Sequence, residues 1–139
     1  MIERLLAAAA VLICLAADVV AWQQISLQQP IWPLPGVYLL EILLVCVIGA
    51  FDVYLAGRAD QRSPVLAWIA SGMVLGLALV SVWSIGLFYF PVWAALLAAG
   101  AISARRRHAP VLGLIALSLV AGLFQAGLIL WIASRVFMP

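Results

Sequence analysis

Three carboxyl groups stand inside long apolar runs: Asp18, Glu41 and Asp52. A charge near the bilayer centre costs about 2.5–3.5 kcal/mol on insertion scales, so such side chains face protein, water or a cation, not lipid. Asp18 lies one helical turn before Trp22 and Glu41 one turn after Val37, so both sit at a similar shallow depth, roughly 6 Å from a helix end. On neighbouring helices the two carboxyls could share a proton or hold a cation. The competing expectation is that each reaches interfacial water, or bonds to Gln23, Gln24 or the backbone. Gln125 is deeper and shares a face with Ser118 and Gly122, which makes it the best-placed amide for bonding across helices. Ser81 and Ser84 complete the candidate polar or ion site, although hydroxyls in such helices commonly bond their own i−4 carbonyl.

Asp52 lies near the arginine-rich end of its run, where an ion pair with Arg58, Arg62 or the Arg105, Arg106, Arg107 cluster is expected. Glu41, Val45, Ile48 and Asp52 follow i, i+4, i+7, i+11 spacing, a stripe predicted to face the bundle interior or a partner protein.

Other chemistries fall away. Cys14 and Cys46 lack CxxC spacing, so they are expected as small apolar packing residues, neither a metal site nor a redox pair. His108 is the one histidine, too few for bis-His haem ligation. The chain has no Lys, which excludes retinal and pyridoxal Schiff bases, and no Asn to accept an N-glycan. No phosphate-cradling glycine loop, HExxH or GxSxG occurs. Catalytic residues, metal and cofactor are therefore all expected to be absent. The arginines form short clusters and no stripe, which argues against nucleic acid.

The elements that carry these residues follow from composition. The chain is 68% hydrophobic and 9% charged, against about 25% charged in soluble domains. Lipid is the solvent that fits. Crossing about 30 Å of hydrocarbon takes about 20 residues, and five runs qualify or nearly so: 5–22, 37–56, 65–85, 88–104 and 110–134. The expected fold is an all-α polytopic transmembrane bundle forming one domain over 1–139. A proline- and glutamine-rich link, 23–36, follows the first run. The uncharged stretch 65–104 is too long for one span and is predicted to double back near 84–91, where Gly86 and Pro91 flank Phe88, Tyr89 and Phe90. Pro110 suits a first helical turn.

Five spans with a cytoplasmic N-terminus put Arg4, Arg58, Arg62, Arg105, Arg106 and Arg107 on the cytoplasmic side and only Arg135 opposite. Trp22, Trp32, Trp83, Phe88, Tyr89, Phe90, Trp93 and Trp131 then fall near the outer interface, with Tyr54 and Trp68 near the inner one. A signal peptide is disfavoured, because Glu3 cancels Arg4 and Leu12-Ile13 before Cys14 makes a poor lipoprotein box. Gly72 and Gly76 form a GxxxG, and Ala95, Ala99 and Ser103 a small-residue face, both suited to close helix packing. Arg105, Arg106 and Arg107 are expected to set topology or attract anionic headgroups.

Together these point to a small non-enzymatic protein, multi-pass in a plasma (inner) membrane and of bacterial composition, serving as an accessory or structural subunit. Its expected partners are the lipid bilayer and other membrane chains or copies of itself. The alternative is a channel or carrier for a proton, cation or small amphiphile, which predicts a water-accessible cavity where Asp18, Glu41 and Gln125 converge. A lipid- or quinone-directed enzyme is the least supported, since only Ser26, Ser81 and Ser84 are candidate nucleophiles beside the acids.

Overall fold

The computed structural model describes residues 1–27, 34–56, 64–81 and 85–137. Its helices are α1 (Ile2–Ser26), α2 (Leu34–Ala56), α3 (Val65–Val80), α4 (Phe90–Arg106) and α5 (Val111–Phe137), with a 3-10 turn (Gly86–Tyr89) leading into α4. No strand occurs among the described residues. The segments Ile2–Ser26, Gly36–Ala56, Gly86–Arg106 and Val111–Arg135 are long and apolar enough to cross a membrane. Helix α3 has 16 residues, about 24 Å at ~1.5 Å per residue, short of the hydrocarbon thickness. The molecule is an all-helical bundle with the make-up of a multi-pass membrane protein.

Helix ends differ from the sequence expectation for local reasons. Helix α1 runs on through Gln23 and Gln24, and the Ser26 hydroxyl donates to the Gln23 carbonyl at 2.9 Å in its last turn. Helix α2 starts at Leu34, so Pro35 falls in a first turn, where a missing N–H costs nothing. Helix α3 stops at Val80, not near 85. The Ser81 hydroxyl folds back onto the Leu77 carbonyl at 2.6 Å, and the Gly86 amide donates to the Ser81 carbonyl at 2.7 Å.

Helices α1 to α4 pack as a ring in which α1 meets α2 and α4, and α3 meets α2 and α4. Ala7, Ala10, Cys14, Ala17 and Ala21 form one buried, small-residue stripe on α1, spaced by threes and fours. That stripe lets Ile42, Cys46, Val74, Tyr89, Val92 and Leu96 of the other elements close over it. On α2 the buried line is Leu39, Ile42, Cys46, Gly49 and Val53, while Ile48 is exposed. The predicted stripe through Glu41, Val45, Ile48 and Asp52 is therefore the flank of the buried face: Asp52 is buried, Glu41 and Val45 are half-buried and Ile48 is exposed.

Helix α5 docks almost entirely on α3 and runs parallel to it, Ser71 and Gly72 facing Ser118 and Gly76 facing Gly122. A Cβ on Gly72 would overlap the Ser118 carbonyl oxygen, and one on Gly76 the Gly122 carbonyl oxygen. The GxxxG is thus the groove that receives α5, an intramolecular use of close backbone approach. The Ser71 and Ser118 hydroxyls meet across it at 3.2 Å.

One end of the bundle gathers the start of α1, the end of α2, the start of α3, the end of α4 and the start of α5. Arg106 pairs with Glu3 at 3.5 Å, Arg4 lies 5.1 Å over the Tyr54 ring, and Trp68 packs with Ala104 and Leu114. Trp68 is accordingly buried against neighbouring helices at this end of the bundle. The α4–α5 turn closes with His108 at φ 53°, its amide bonding the Arg105 carbonyl and that of Ala109 bonding the Ala104 carbonyl. This is a Schellman closure with histidine where glycine is usual.

Candidate functional site

Each acid in the described residues reaches from its own helix to another. Asp52, on the last turns of α2, is buried, and its Oδ2 accepts the amides of Leu66 at 2.9 Å and Ala67 at 3.3 Å. Those amides belong to the first turn of α3, whose N-cap is Pro64, a residue with no side-chain acceptor. A helix N-terminus carries unsatisfied donors and partial positive charge, so a carboxylate lent by α2 caps α3 from outside. The expected partners Arg58 and Arg62 lie outside the described residues. What the structure adds to that expectation is a pair of backbone amides bonded to the same carboxyl.

Glu3, near the start of α1, is the acid that sequence reasoning passed over as a mere offset to Arg4. It is buried, and it ties α1 to the last turn of α4 through Arg106. Arg105 and Arg106 are both exposed, and Arg106 is engaged within the chain through Glu3.

Glu41, half-buried on α2, accepts from Gln125 Nε2 at 3.2 Å. Gln125 belongs to α5, on the far side of α3, and reaches Glu41 because Gly76 leaves space. A Cβ at Gly76 would stand 3.2 Å from the Gln125 Cβ. Gln125 is fully buried, and its Oε1 has no hydrogen-bond partner among the described residues.

Asp18, half-buried on α1, accepts at Oδ1 from the Tyr89 hydroxyl at 2.5 Å, and Cys14 Sγ lies 4.0 Å from Oδ2. Tyr89 is fully buried at the entry to α4, where its hydroxyl is the partner of Asp18. Cys14 also meets the thiol of Cys46 in the core. Both cysteines are free and buried, and a separation of a whole helix and loop hid their proximity from motif reading. Among the described residues, no group of three or more His, Cys, Asp or Glu is arranged to hold a metal ion.

The sequence-predicted polar set is thus divided. Glu41 and Gln125 come together, Asp18 turns to Tyr89, and Ser81 bonds its own helix. Ser84 lies outside the described residues. Helical spacing offered no signal for Tyr89, because the contact depends on how the 3-10 turn lays that ring back over α1.

A cleft of about 280 Å³ opens between α1 and α2, lined by Leu15, Asp18, Val19, Trp22, Leu39 and Leu43 among others. Its walls are apolar apart from the Asp18 carboxyl and Gln23 near the mouth. The arrangement can accept hydrogen bonds or a positive charge at one point along an otherwise hydrocarbon-like surface. Comparison of the chain with family profiles, curated proteins and solved structures finds no match.

Proposed function

We propose that the protein is a small, non-enzymatic integral membrane component, multi-pass in a bacterial plasma membrane, that acts as an accessory or structural subunit of a larger membrane assembly. The observation that carries this is the use made of its acids. Glu3 joins α1 to α4, Asp18 joins α1 to the turn before α4, Asp52 joins α2 to α3, and Glu41 joins α2 to α5. Polar groups placed at a cost in lipid are thereby committed to holding the helices in register. The apolar face of α5, with Leu112, Leu119, Leu123 and Phe124 exposed, offers surface for lipid or for neighbouring membrane chains.

In this proposal all five helices cross the bilayer, with the N-terminus in the cytoplasm. The support is geometric: the ends carrying Arg4, Arg106 and the α4–α5 turn share one end of the bundle. Arg135 lies near the opposite end, 5.8 Å over the Trp131 ring. Basic residues collected at one end mark a cytoplasmic face. Purification in mild detergent is expected to retain companion chains in fixed ratio, and recovery as a lone monomer would count against the subunit role. Single cysteines placed at 61 and 108 are expected to label from the same side; labelling from opposite sides would overturn the five-span arrangement.

A further inference from the structure

We infer that the cleft between α1 and α2 is a binding site for a single-chain amphiphile with a primary ammonium head, its alkyl chain lying along the cleft and its head on Asp18. The carboxyl is arranged as an acceptor. The Tyr89 hydroxyl donates to Oδ1, the Cys14 thiol is the neighbour of Oδ2, and the side chain stays half-exposed. No described cation answers it. Arg4 and Arg106 are occupied at the other end of the bundle, and Arg135 belongs to α5, which does not pack on α1. A half-buried carboxylate without a counter-charge is penalised by desolvation, and a ligand cation beside it offsets that penalty. An N–H bearing head also forms a charge-assisted hydrogen bond, which a quaternary head cannot.

The remaining walls select the rest of the ligand. Leu15, Val19, Leu39, Leu40 and Leu43 offer only hydrocarbon, and the Trp22 ring stands beside them. A volume of about 280 Å³ lies at the small end of ligand pockets, room for one chain and too little for a two-chain phospholipid.

Trp22 supplies the test. The purified full-length protein in nanodiscs is titrated with dodecylamine brominated on its chain, and with brominated dodecanol and dodecanoic acid as matched controls. Saturable quenching of the component lost in Trp22→Phe is expected at amine concentrations about tenfold below those of the alcohol, the weight of one charge-assisted hydrogen bond. Asp18→Asn is expected to erase that preference while keeping an acceptor for Tyr89. Equal quenching by amine and alcohol in the native protein, or a preference that survives Asp18→Asn, would overturn the inference. Should Asp18→Asn fail to fold, the double variant Val19→Phe/Leu40→Phe decides the matter by filling the cleft. Loss of saturable amine quenching supports the site, and its persistence refutes it.

Discussion

Replacing Asp52 by alanine removes the carboxylate oxygen that receives the Leu66 and Ala67 amides at the start of α3. The Ala67 site is fully buried, and the N-cap Pro64 has no side-chain acceptor of its own to substitute. Hydrogen bonds to a charged group contribute about 1.5–3 kcal/mol each. Here the two share one oxygen and the longer is 3.3 Å, which brings the expected loss to about 2–4 kcal/mol. Asp52→Asn keeps a carbonyl oxygen facing the same amides and forfeits mainly the charge–dipole part, about 0.3–1 kcal/mol at an exposed helix end and up to ~2 in a partly buried one. The two variants should therefore separate clearly. Reversible unfolding of the purified protein by SDS in mixed micelles gives both differences, and amide hydrogen exchange at Leu66 and Ala67 reports the cap itself. Exchange should accelerate at both amides in the alanine variant and far less in the asparagine variant. An alanine variant within about 0.5 kcal/mol of the native protein, or an asparagine variant equally damaged, would refute the capping argument.

Gly76→Ala is expected to force α5 off α3 at a cost of about 1–3 kcal/mol from overpacking. Disulfide crosslinking between cysteines introduced at Ser71 and Ser118 should be efficient in the parent and drop sharply in the variant. Tyr89→Phe should cost about 1.5–3 kcal/mol through its lost bond to Asp18. A double-mutant cycle with Asp18→Ala should show coupling above about 0.5 kcal/mol, whereas additive effects would deny the contact. His108→Gly should stabilise the α4–α5 turn by up to about 1–2 kcal/mol, because glycine adopts positive φ without penalty, and a lowered thermal midpoint would contradict this. Glu3→Gln should weaken the tie between α1 and α4, seen as faster proteolysis at the N-terminus, with no change expected at the α3–α5 contact.

Much of the helical layout was legible because lipid imposes a simple rule: an uncharged run about as long as the bilayer is wide becomes a helix. The two arginine-bearing links and the doubling back near Gly86 followed from charge and length. Glu41 with Gln125 was legible as a bond across helices only in kind, since nothing in either helix says that they meet over Gly76. The Asp18–Tyr89 and Cys14–Cys46 contacts were not legible. Both depend on the rotation of α1 about its axis, which the alanine stripe fixes by fit and which no polar spacing encodes. The packing of Trp68 was equally hidden: its indole is buried beside Gly100 of α4, where a side chain would crowd it.

The almost exclusive attachment of α5 to α3 bears on how the molecule is assembled during synthesis. The furrow at Gly72 and Gly76 precedes α5 in the chain, and the contacts that join α1 to α4 into a ring are made without α5. A chain cut within the α4–α5 turn should accordingly reassemble when its two fragments are produced together, with Ser71, Ser118, Glu41 and Gln125 guiding the shorter piece to its berth.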